Sequence, residues 1–222
     1  MRSGSTLLKA LLSNAPDIDQ IPEAFFQIRN NKYYTYNQFS KLSSSEIVIL
    51  KEPSHYPTYN QYPQLPNIEH KTITLVRNPA DTIISLRKMN KELGINMTDE
   101  ELLDYWLVTT SNLLKHRKNL NNRTVVYEQL TDNPIEITKN LFQFIESEQK
   151  EGVDTYTKPR KYKWEWKKDD GGEIIKSLKV QKIIKDYSVE KSLINLIDNN
   201  NDVLTVMREF GIPKVWDQNE TL

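Results

Sequence analysis

Leu75-Val76-Arg77-Asn78-Pro79-Ala80-Asp81-Thr82-Ile83-Ile84-Ser85-Leu86-Arg87 passes from an apolar run to a helical period across one tight turn. Its lead-in, Ile73-Thr74-Leu75-Val76, is β-branched and apolar, the composition of a strand buried on both faces. Asn78 is placed as N-cap, Pro79 at the first helical position and Asp81 in the first turn, and Gly94 is positioned to close the helix. A strand feeding a helix through so short a turn is the building unit of an α/β domain with a mostly parallel sheet. Arg77 therefore stands at the carboxyl end of its strand, the edge where ligands bind in such sheets. Together with Ser85, two turns into the helix, it suits bidentate capture of a phosphate, although it could instead cap a neighbouring helix or pair with Asp81.

Outward from this unit the pattern repeats. Ile47-Val48-Ile49-Leu50 and Thr124-Val125-Val126-Tyr127 read as further buried strands. A first helix carries Leu7, Leu8, Leu11 and Leu12 on one stripe and stops before Pro16, and Thr98 with Glu101 forms a capping box for a helix through Leu102, Trp106 and Leu113. Asn133-Pro134 opens a helix with Ile137, Leu141, Phe142 and Ile145 inward. Residues 151 to 182 read as irregular, and two short helices, near 187–198 and 200–210, precede Gly211 and Pro213.

Composition narrows the function. The 222 residues fit one domain, expected to divide into a core over 1–150 and an irregular segment with two short helices over 151–222. Thirty Lys and Arg balance thirty Asp and Glu, so no global field draws the chain onto nucleic acid or anionic lipid, and any anion site must be local. With no Cys, disulfides, thiolate zinc sites and thiol catalysis are excluded, and three His make a dedicated metal centre improbable. No apolar run reaches the length of a spanning helix and no secretory pattern stands at the N-terminus, which fits a cytoplasmic protein.

Arg2-Ser3-Gly4-Ser5-Thr6-Leu7 sets a glycine turn and hydroxyls at the start of the first helix. Backbone N–H groups of such a turn, the helix dipole and the Arg2 guanidinium together cradle an anion, while a plain Ser or Thr cap is the alternative. The stretch lacks the lysine of a Walker A loop, which disfavours a magnesium-dependent nucleoside triphosphate site.

The pairing of these two anion sites resembles the sulfotransferases that use 3′-phosphoadenosine 5′-phosphosulfate (PAPS). The resemblance implies a P-loop-type three-layer fold with a mostly parallel central sheet flanked by helices. It implies that Arg2, Ser3, Gly4, Ser5, Thr6 and Leu7 hold the 5′-phosphosulfate, that Arg77 and Ser85 hold the 3′-phosphate, and that no metal takes part. Lys51, in a stretch similar to the strand-terminal Lys-x-Pro-Ser segment of carbohydrate and bacterial members, would stabilise the leaving phosphate. Ile21-Pro22-Glu23-Ala24-Phe25 matches a further family segment and makes Glu23 the first choice as general base. His55, an imidazole four residues beyond Lys51, is the rival. The stretch Tyr127-Glu128-Gln129-Leu130 resembles a family segment read as structural, ending a strand.

The reaction so implied is sulfuryl transfer from PAPS to a hydroxyl, or an amine, of a carbohydrate or small-molecule acceptor. The alternatives are a P-loop kinase using ATP and a truncated, inactive nucleotide-binding paralogue. The basic and aromatic run from Lys158 to Lys168 offers Lys161, Lys163 and Trp164 as candidates for a lid over the nucleotide; a single-strand nucleic-acid surface is countered by the zero net charge and by Asp169-Asp170, and a solvated loop is the plain alternative. No nucleic-acid partner and no membrane segment are expected. Tyrosines 33, 34, 36, 56, 59 and 62 suit either an acceptor cleft or core packing. The family carries a strand before the phosphate loop where only Met1 stands here; a start assigned too late is the favoured reason, ahead of truncation or a strand from a partner. Extension upstream is then expected to raise the melting temperature.

Overall fold

The structure is a computed structural model and describes residues 3–20, 43–49, 51, 71–117, 121–158 and 173–217. At its centre β3 (Thr72–Val76) pairs in parallel with β4 (Asn122–Val126), in a register running from Thr72 opposite Asn122 to Val76 opposite Val126. A second parallel pair joins β1 (Ile18–Gln20) to β2 (Ile47–Ile49). Among the described residues these remain two two-stranded sheets. Burial on both faces is correspondingly incomplete: Val76, Val125 and Val126 at the carboxyl ends are buried, whereas all three residues of β2 are only half-buried.

The period-2 alternation of strand side chains separates two cores across the β3–β4 pair. Val76 and Val126 face a cluster containing Ile83, Leu102, Trp106, Leu193, Ile197, Val203 and Phe210. Leu75 and Val125 face another, built from Leu8, Leu11, Leu12, Ile18, Leu130, Leu141 and Phe142. Helices thus cover the pair from both sides, the layered arrangement of an α/β domain.

Helix α1 (Ser5–Leu12) buries the Leu8, Leu11 and Leu12 stripe in the second cluster. Helix α2 (Pro79–Leu93) begins as its sequence predicts, with the Asn78 side chain accepting from the Asp81 N–H at 2.8 Å, and ends at Gly94. Helix α3 (Asp99–His116) carries the complete Thr98/Glu101 capping box. After β4 the expectation needs correction: Tyr127 does not extend the strand but opens a short helix, α4 (Tyr127–Asp132), whose Leu130 is fully buried. Among the described residues the pairing of β4 with β3 ends at Val126 opposite Val76, and from there the chain turns to bury Leu130.

Helix α5 (Pro134–Phe144) starts at Pro134, though the Asn133 side chain makes no capping bond. Helices α6 (Lys191–Asp198) and α7 (Asn201–Phe210) complete the first cluster. Before them the chain is extended, lying antiparallel to residues 154–156 through a Thr155–Lys179 bridge and the Val180 N–H donating to the Asp154 carbonyl at 2.8 Å.

Candidate active site

The candidate site forms where β3 and β4 end beside the turn into α1. Gly4, immediately before α1, adopts a left-handed conformation with φ of 86°. A Cβ there would lie 2.3 Å from Tyr127 Cε2, so the Tyr127 ring packs directly on the backbone at the start of α1 and only glycine fits. Across the same ring lies the Arg77 guanidinium, its Cζ 4.2 Å from the ring centroid. Tyr127 thereby joins the two halves of the expected site, Gly4 and Arg77. Because it reads from sequence as a strand end, that role escapes the sequence; its position directly after β4, on the carboxyl edge shared with β3, is the signal that marks it.

Arg77 is fixed from several sides. Its carbonyl accepts from Trp106 Nε1 at 3.0 Å, anchoring the turn to the fully buried indole of α3. Its Nη2 donates to Asp81 Oδ2 at 2.9 Å, the pairing left open by the sequence. Behind it, Glu128 Oε1 accepts from the Asn78 backbone N–H at 3.2 Å and from Asn78 Nδ2 at 2.6 Å, tying α4 to the start of α2. Burial pushes the Glu128 carboxyl above its ordinary value, only partly offset by the Asn78 bonds.

Asp81 also draws in residues from far along the chain. Its Oδ1 accepts from Lys185 Nζ at 2.6 Å and from the Tyr187 hydroxyl at 2.9 Å. Burial alone would raise the Asp81 carboxyl, but the charges of Arg77 and Lys185 and the bonds from Lys185 and Tyr187 outweigh it and hold the group below the usual value. Tyr187 is pushed far upward by burial and by the adjacent Asp81 charge, so its hydroxyl is a permanent donor. Neither Lys185 nor Tyr187 belongs to a motif visible in the sequence.

Lys51 lies just beyond β2, and its Nζ donates to Thr6 Oγ1 at 2.8 Å, which places the strand-end cation on the first turn of α1. Ser3 is buried, Ser5, Thr6 and Leu7 are half-buried around the same turn, and Ser85 is half-buried on α2. The expected residues Arg2, Glu23 and His55 lie outside the described residues, as do the lid candidates Lys161, Lys163 and Trp164. Among the described residues no cluster of His, Asp or Glu could hold a metal ion, and no helix is long and apolar enough to cross a membrane.

With this geometry in place, comparison with known families assigns residues 1–168 to the sulfotransferase domain. The chain belongs to the sulfotransferase family. Among solved structures, the sulfotransferase domain from the curacin biosynthetic pathway superposes with a TM-score of 0.52 at 16% identity, covering 96% of this chain and 95% of that one. At that identity the likeness speaks for the fold, a mixed α/β arrangement with parallel strands and flanking helices. No curated protein sequence matches this sulfotransferase.

Proposed function

We propose that this sulfotransferase takes PAPS as donor and transfers its sulfuryl group to a hydroxyl, or an amine, of a carbohydrate or small-molecule acceptor. The observation that carries this reading is the convergence on the start of α1 of a lysine just past β2, Lys51 bonded to Thr6, and of a strand-end arginine, Arg77, stacked on the Tyr127 ring that packs against Gly4. That donor set fits a nucleotide with phosphates at both ends: hydroxyls and backbone N–H groups at Ser3 to Leu7 for one, Arg77 and Ser85 for the other. We also propose a single domain, 1–150 forming the nucleotide core and 151–222 the lid segment and helices, acting in the cytoplasm.

PAPS supplies the activated sulfuryl group in this scheme. Lys51 offsets the charge that develops on the departing phosphate oxygen, and its bond to Thr6 holds the ammonium against the turn that binds that phosphate. Arg77, immobilised by Asp81, Trp106 and Tyr127, presents a preorganised fork to the 3′-phosphate. Glu23, with His55 as rival, accepts the acceptor's proton.

Thermal shift with 3′-phosphoadenosine 5′-phosphate (PAP), beside ADP with and without magnesium, tests the assignment. Ligand at a hundred times its Kd stabilises the native state by about 2.7 kcal/mol. Stabilisation by PAP alone is expected; a shift with ADP that needs magnesium would instead favour the kinase. Lys51→Ala should lower turnover about a hundredfold or more while sparing PAP binding, whereas Arg77→Ala should chiefly weaken PAP binding. Equal losses of binding in both variants would mean that the two roles are misassigned.

A further inference from the structure

Residues 178 to 187 form an extended strap ahead of α6. At its start, Tyr156 N–H donates to the Leu178 carbonyl at 3.0 Å and Val180 N–H to the Asp154 carbonyl at 2.8 Å. At its end, Tyr187 is buried in the first core, edge-on to Trp216 with ring centroids 6.5 Å apart. Just beyond, the Glu190 N–H donates to the Tyr187 carbonyl at 2.9 Å, and the Glu190 carboxylate accepts from Arg87 Nη1 of α2 at 2.6 Å. A ring packed in the core, on a backbone tied down beside it, presents its hydroxyl with little freedom.

That hydroxyl donates to Asp81 Oδ1 at 2.9 Å, and both residues are buried. Asp81 stands in the first turn of α2, where its backbone N–H donates to Asn78 Oδ1 at 2.8 Å. An aspartate carboxylate turns readily about its last bond, so a donor that fixes one oxygen also directs the other. Here the other oxygen, Oδ2, accepts from Arg77 Nη2 at 2.9 Å. Lys185 Nζ reaches the same Oδ1 at 2.6 Å from a flexible, partly exposed stem, whereas Tyr187 supplies an uncharged donor from a rigid ring. Burial and the adjacent Asp81 charge push the Tyr187 hydroxyl far upward, so it keeps its proton and remains a donor around neutral pH.

We propose that Tyr187 is a positioning residue for nucleotide binding, its hydroxyl setting the Asp81 carboxylate that aims Arg77 at the ribose 3′-phosphate. The proposal rests on the PAPS reading above and deepens it. Arg77 touches the ligand, and Tyr187 acts on it only through Asp81. The strap thereby shapes the donor site without entering it.

Isothermal titration of PAP and of adenosine 5′-phosphosulfate, which lacks the 3′-phosphate, into wild type, Tyr187→Phe, Arg77→Ala and the double variant tests it. Phenylalanine keeps the ring beside Trp216 and removes only the hydroxyl, and a melting curve for each variant verifies folding. Tyr187→Phe should lose about fivefold in PAP affinity and leave adenosine 5′-phosphosulfate affinity unchanged. In the Arg77→Ala background the same substitution should cost no further PAP affinity, because the group it aims is gone. A hydroxyl that only fastens the strap would lower Tm without changing the ratio of the two affinities. Unchanged PAP affinity in Tyr187→Phe, equal losses for both ligands, or a loss of the same size without Arg77 would overturn the role of Tyr187 while leaving the donor assignment standing. A wild type that binds PAP no more tightly than adenosine 5′-phosphosulfate would overturn the 3′-phosphate reading itself, and that result is read without any variant. Should Tyr187→Phe melt out at the assay temperature, Asp81→Asn weakens the same bond from its acceptor side, and a PAP affinity unchanged there would equally overturn the proposal.

Discussion

At position 4 an added methyl group meets two penalties. The backbone there is left-handed, and the new Cβ would fall 2.3 Å from Tyr127 Cε2. Tyr127 has little room to yield, because the Arg77 guanidinium is stacked on its ring. Gly4→Ala should therefore destabilise the fold by about 2 kcal/mol, lowering Tm by roughly 4–8 °C, and should weaken PAP binding by displacing the ring that bridges the loop and Arg77. A variant with wild-type Tm would show that the ring swings aside. Asp81 gives a pH-dependent counterpart. Its carboxyl is held below the usual value, so its contribution is complete at neutral pH and fades as acid carries the protein through the carboxylate range. Asp81→Asn should cost about 2 kcal/mol at neutral pH, with the difference from wild type shrinking below about pH 4 in denaturant titrations.

Elements whose ends are written in local chemistry match their sequence closely. The Thr98 hydroxyl accepts from the Glu101 N–H while the Glu101 carboxylate accepts from the Thr98 N–H, and Asn78 and Asn200 likewise cap α2 and α7 with their side chains. Removing one such cap is a local perturbation. Thr98→Ala should destabilise by about 1 kcal/mol, a Tm decrease of roughly 2–4 °C by calorimetry, with PAP affinity intact because α3 meets the site through Trp106, two turns away. A drop in affinity would indicate that the helix start and the site are coupled. Elements decided by partners were less legible. Strand β1 has only three residues and no distinctive pattern, and it exists because Ile18 to Gln20 align with Ile47 to Ile49. Helix α4 likewise begins where the pairing of β4 with β3 ends, a boundary that Val125-Val126-Tyr127 does not disclose.

Across the whole molecule, Trp106 connects stability to the site. It is fully buried in the core shared by β3, α2, α3, α6 and α7, and its Nε1 donates to the Arg77 carbonyl. Trp106→Ala should destabilise by about 3–5 kcal/mol, while Trp106→Phe should keep most of the packing and lose the bond that orients Arg77. PAP affinity falling more than Tm in Trp106→Phe would be the sign of that orienting role; parallel small changes would limit Trp106 to packing. The α/β class, the side-chain caps of α2 and α3, and the places of Gly4 before α1, Lys51 after β2 and Arg77 after β3 were readable from the chain, because each depends on residues within a few positions of one another. The union of Gly4 with Arg77 through Tyr127, and the arrival of Lys185 and Tyr187 at Asp81, depend on parallel strand pairing and on burial of a distant strap. Contacts between residues this far apart in the chain leave no local spacing to read, so only the tertiary structure could decide them.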